Sequence, residues 1–207
     1  MKTNKIKIVI FLLLIFGNYS HAQQNPFMDY VLSWDGESPI LEVELTYSAT
    51  HKDSTVFVFG DPDFGGQNDI FNTIKNIRVS KPEELRLDEA KRRITIFHNG
   101  AKTNKISYEI DGSFNVDKPT VASQKELFRP VITKGMLTMV NIHFTMGITD
   151  ESNPLVSFSW SKYPENFTYF NSVKPSQKNP SIRFTDSYDK LSHILYFVMG
   201  DNIDVKE

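Results

Sequence analysis

Period-two alternation of apolar and polar residues constrains this chain more than any other feature. Leu41, Val43, Leu45 and Tyr47 alternate with Glu42, Glu44, Thr46 and Ser48. Successive side chains of a strand point to opposite faces, so this segment reads as a half-buried strand with Glu42 and Glu44 on its outer face. Ile106, Tyr108 and Ile110 repeat the pattern, as do Val156, Phe158 and Trp160. The same spacing predicts a strand through Val140, Ile142 and Phe144, with Asn141, His143 and Thr145 outward. Val56 to Phe59 and Ile194 to Met199 are apolar at nearly every position and suit central strands covered on both faces.

Turn chemistry separates these runs. Asn99-Gly100 predicts a hairpin between Arg93–Phe97 and Lys105–Ile110, and Asp35-Gly36 with Pro39 predicts another between Tyr30–Trp34 and Ile40–Tyr47. Helical signals are few. A turn or two fits Gln67 to Ile77, with Ile70, Phe71 and Ile74 on one side, and single turns fit near Ser123–Glu126 and Asp189–Leu191. The expectation is an all-β domain, a β-sandwich or a twisted, saddle-like antiparallel sheet with one to three short helical turns.

The N-terminus reads as a secretory signal peptide over residues 1–22. Lys2, Lys5 and Lys7 precede the apolar run Ile8–Phe16, and Ser20 and Ala22 supply the small residues before a cleavage site. Nine apolar residues make a helix of roughly 14 Å, against about 30 Å of hydrocarbon, too short to remain as an anchor. Cleavage after Ala22 leaves residues 23–207 as a single β-domain exported to the periplasm or beyond the cell. No later stretch suits a membrane span. The chain has no cysteine, which excludes disulfides, thiolate metal sites and a cysteine nucleophile. A net charge of −2 with interspersed signs offers no footprint for nucleic acid.

No complete catalytic constellation appears, so the residues give no catalytic, cofactor-binding or metal-ligating set. Asp61, Asp63, Gly66 and Asp69 follow a calcium loop at positions 1, 3, 6 and 9, but position 5 is Gly65, with no side-chain oxygen, and the bidentate position 12 is Asn72, with no carboxylate. Among the mature histidines His51, His98, His143 and His193, none has the spacing that puts two imidazoles on one helix face. No Gly-x-Ser-x-Gly elbow marks a serine nucleophile. Phe158, Trp160, Tyr163, Phe167, Tyr169 and Phe170 crowd one stretch, either as core or as a stacking platform for glycan or peptide.

The run Phe64-Gly-Gly-Gln-Asn-Asp-Ile-Phe-Asn-Thr-Ile-Lys-Asn-Ile-Arg-Val79 is followed in order by Phe128-Arg-Pro-Val-Ile-Thr133 and Ser159-Trp160. Phe167-Thr-Tyr-Phe-Asn-Ser172 and Leu195-Tyr-Phe-Val-Met-Gly-Asp201 complete the series. In this order the motifs resemble the N-terminal β-domain of the glycyl aminopeptidase family, zinc metallopeptidases that also carry a PDZ domain. The resemblance spans about residues 27 to 207. It implies a domain that walls a substrate cleft and packs against a following catalytic domain. That catalytic domain bears the family's His-Glu-x-x-His helix, and no zinc ligand or general base can be placed on this sequence. The implied partner is a catalytic peptidase domain or a peptide, and the candidate interaction surface is Ile194, Leu195, Tyr196, Phe197, Tyr163 and Tyr169. Two other readings stay open: part of an active exported zinc aminopeptidase, and a glycan- or surface-binding β-sandwich.

Overall fold

A computed structural model describes residues 26–49, 51, 53–59, 70–80, 83–98, 100, 103–115, 130–149, 153–173, 184–187, 196–201 and 203. The strands are β1 (Phe27–Ser33), β2 (Ile40–Ser48), β3 (Ser54–Phe59), β4 (Ile74–Val79), β5 (Glu84–Asp88), β6 (Arg93–Phe97) and β7 (Thr103–Asp111). They continue as β8 (Val131–Thr133), β9 (Met136–Val140), β10 (Met146–Ile148), β11 (Leu155–Lys162), β12 (Thr168–Asn171), β13 (Phe184–Ser187) and β14 (Tyr196–Gly200). Three short 3₁₀ turns, Ile70–Thr73, Gly112–Asn115 and Asn141–His143, are the helical structure among the described residues. The fold is all-β, as the alternation predicts.

One six-stranded sheet runs β13-β11-β1-β2-β7-β4, and two four-stranded sheets run β10-β3-β6-β5 and β12-β14-β9-β8. Every pairing is antiparallel except β1 with β11. Alternation dictates what each face buries. Met28, Tyr30 and Leu32 on β1, Leu41, Val43, Leu45 and Tyr47 on β2, and Ile106, Tyr108 and Ile110 on β7 all turn into the core. The two small sheets lie against that inner face. At one end the Tyr47 and Phe57 rings meet edge-on with centroids 4.9 Å apart; at the other, Phe197 packs against Phe158 and Trp160. Edge-to-face contact suits the aromatic quadrupole and adds to the gain from burial.

The β1–β2 hairpin forms where Asp35-Gly36 predicts it. Gly36 sits at φ +83°, and the Asp35 carboxylate accepts from the backbone N–H of Glu37 and Ser38 at 2.9 and 2.8 Å. Those two bonds hold its carboxyl below the usual range.

Three expectations are corrected. Asn99-Gly100 does not close a hairpin: β6 pairs with β3 and β5, whereas β7 pairs with β2 and β4. Gly100 has the left-handed φ, +71°, that the dipeptide predicts, but here the turn passes the chain from one sheet to another. Nor does the strand through Val140 continue to Phe144. Asn141–His143 forms a 3₁₀ turn, and Asn141, His143 and Thr145 are buried. Their polar groups are used locally: Thr145 donates N–H and hydroxyl to the Asn141 carbonyl, both at 2.8 Å, and the Val140 N–H donates to His143 Nδ1 at 3.3 Å. Lastly, β3 is buried on one face only, through Thr55, Phe57 and Phe59, while Val56 and Val58 are half-buried.

The turn expected over Gln67–Ile77 is realised as Ile70–Thr73, with Ile70, Phe71 and Ile74 buried. The residues of the partial calcium loop from Asp61 to Asp69, the turns near Ser123–Glu126 and Asp189–Leu191, and the segment 1–22 lie outside the described residues.

Candidate interaction surfaces

The expected surface divides in two. Phe197 has no exposed area and Tyr169 only 6%, so both belong to the core and neither is available to a partner. The reason is register: Phe197 pairs with Met139 and Tyr169 with Met199, all on the inner face of the third sheet. Burial likewise pushes the Tyr169 phenol well above its ordinary pKa. Tyr163 is partly buried against the core, and Ile194 and Leu195 lie outside the described residues. Tyr196 points the other way and is exposed.

Around Tyr196 the described residues on the outer face of this sheet carry no charge. Thr133, Met136, Gly200 and Thr168 form one cross-strand row, and Val131, Thr138, Val198 and Phe170 form the next. Val140 lies opposite Tyr196 in a third. Met136 is 43% exposed and Tyr196 36%; Gly200 is buried and the others are half-buried. The sequence shows the strand that is apolar on both faces but not its neighbours, because nothing in the chain announces that β12 and β9 flank it, with β8 beyond β9.

The outer face of the six-stranded sheet differs sharply. Glu42 and Glu44 on β2, Ser107 and Glu109 on β7, Ser33 on β1, and Asn76 and Arg78 on β4 surround a groove of about 360 Å³. Register places Glu42 directly opposite Glu109 and Glu44 opposite Ser107. A bulge in β4 between Lys75 and Arg78 puts Asn76 at φ 50°, and its side-chain amide donates to Glu109 Oε2 at 2.7 Å. Lys105 meets Glu44 at 2.6 Å. A bulge re-aims side chains at a sheet edge, which here turns an amide toward a carboxylate in the groove.

A third cluster is internal. His98, 2% exposed, shares a 2.9 Å hydrogen bond between Nε2 and Thr55 Oγ1. Glu83 lies close enough for the imidazole to lower its carboxyl pKa, but desolvation outweighs this and the net shift is upward. The Tyr47 phenol is pushed well up by its own burial and by Glu83. Among the described residues, no three histidine, aspartate or glutamate side chains gather as a metal site would need. The aromatic stretch is mostly core: Phe158, Trp160 and Tyr169 are buried, and Tyr163 and Phe167 pack on them.

No protein-family model matches the chain, and no curated protein matches it in sequence. The fold does have a counterpart. It is similar to part of the solved aminopeptidase N family protein from Idiomarina loihiensis, with a TM-score of 0.62 at 12% identity. The match covers 84% of this chain and 29% of that one, so the chain spans less than a third of the solved protein's length. At such identity the likeness is one of fold: a two-layer β-domain of a kind found within a peptidase.

Proposed function

We propose that this chain is an exported, non-catalytic β-domain that docks against a peptidase, in the manner of the N-terminal domain of glycyl aminopeptidases. The observation that carries the reading is the uncharged outer face around Met136, Val198 and Tyr196. Exposed apolar patches of this kind mark surfaces meant to be covered. The fold's likeness to part of an aminopeptidase N family protein supplies the kind of partner, and the order of motifs from Phe64 to Asp201 narrows it toward the glycyl aminopeptidases. Export follows from the charged, apolar and small-residue succession over residues 1–22.

The test has two parts. The purified chain, assayed on glycyl and alanyl chromogenic amides, releases no product above buffer; hydrolysis abolished by a chelator overturns the non-catalytic assignment. Exported protein measured by intact mass begins at Gln23; a soluble extracellular form retaining Met1 overturns the signal peptide.

A further inference from the structure

Of the four charges that line the groove on the outer face of the six-stranded sheet, two of opposite sign, Glu42 and Arg78, are left without partners among the described residues. Glu42 stands mid-sheet, with Ser33 on one neighbouring strand and Glu109 on the other. Like charges directly opposite each other destabilise a strand pair, so this arrangement costs the fold something. Glu109 is answered by the Asn76 amide and stands opposite Lys75 of β4, and Glu44 is answered by Lys105. No described residue pairs with Glu42. Arg78, exposed on the edge strand opposite Ser107, also has no partner among the described residues.

The spacing of the two charges selects a ligand. β7 lies between β2 and β4, so they stand two strand spacings apart and two residues out of register. With strands about 4.8 Å apart and a rise of about 3.4 Å per residue, the separation is about 12 Å. A small ion can answer one of these charges but not both. An extended polypeptide puts residues i and i+4 on one face, about 14 Å apart, a span that side chains can bring to the same separation. The Ser107 hydroxyl lines the groove between the charges, and that of Ser33 lines it beyond Glu42; both can meet polar groups of an extended backbone. We infer that the groove takes an extended segment of a protein partner, with a basic side chain over Glu42 and an acidic one over Arg78, four residues apart. This rests on the docking reading but uses a different face from the uncharged one.

The probe is a capped Lys-Ser-Gly-Ser-Asp peptide titrated at low salt into the isotope-labelled full chain. Saturable amide shifts at Glu42, Ser107 and Arg78 are expected, with affinity weakened about three- to fivefold by Glu42→Gln and again by Arg78→Gln, as befits exposed ion pairs. Arg86→Gln, on another sheet, leaves binding unchanged. Absence of saturable shifts, equal binding of a peptide with Lys and Asp adjacent, or indifference to both groove variants overturns the proposal. Paired Met136→Lys and Tyr196→Lys substitutions separate the two readings. Peptide binding that survives them, in a chain whose self-association they do not alter, fails the uncharged docking face and leaves the groove standing.

Discussion

The hydroxyl of Tyr30 donates to the backbone carbonyl of Met146 and accepts from its N–H, each at 3.1 Å. Tyr30 lies mid-strand in the six-stranded sheet, and Met146 opens β10 just after the chain has crossed between the two small sheets. One side chain therefore satisfies both backbone groups of a buried residue where three sheets meet. Tyr108 does a related task one residue pair upstream, donating to the Phe144 carbonyl.

Tyr30→Phe keeps the ring, which stacks on Phe158 with centroids 5.2 Å apart, and removes only the oxygen. Two buried backbone groups of Met146 then lose this partner. The expected loss is about 1–3 kcal/mol, read as a lower denaturant midpoint with an unchanged slope. A variant as stable as the parent contradicts the pin.

Gly112 follows β7 and lies against β8. A Cβ there would meet Ile132 Cβ at 2.5 Å and the Ile132 backbone N and O at 2.8 Å. Those atoms belong to a strand, not to the end of a flexible side chain, so Gly112→Ala must push β8 away. We expect a loss of about 1–3 kcal/mol, as for other overpacked sites. Gly100→Ala is the contrast, since a Cβ meets nothing within 4 Å there and only its positive φ opposes the change.

Burial raises the Glu83 carboxyl above its ordinary 4.5, with His98 opposing. A raised carboxyl pKa means the fold disfavours the ionised form. Stability is then fullest below the unfolded value and falls as pH climbs past it toward the folded value. Glu83→Gln should raise the melting temperature by about 2 °C at about pH 7, with the gain fading toward about pH 4. A gain that grows in acid contradicts the assignment.

The strands were readable because alternation in Leu41–Tyr47, Ile106–Ile110 and Val156–Trp160 is a local property that burial on one face imposes. Pairing is not local. Asn99-Gly100 looks the same whether the next strand returns beside β6 or departs to another sheet, and the groove around Glu42 depends on that choice. Phe197 and Tyr196 show the same limit at single residues. Their run is apolar on both faces, so only register shows that Phe197 is core and Tyr196 surface. Val140–Thr145 misled for another reason: buried Asn141, His143 and Thr145 hydrogen-bond within their own turn, which a polar-outward pattern cannot express.

The central claim is that the uncharged face around Tyr196 and Met136 is built to be covered. Sedimentation of the purified chain over a range of concentrations tests it most directly. Left uncovered, that face should drive reversible self-association, relieved by Met136→Lys with Tyr196→Lys while circular dichroism shows the fold retained. Phe197→Lys cannot serve here, since it would place a charge in the core. A parent chain that stays monomeric at the highest concentration and binds no hydrophobic dye would contradict the claim.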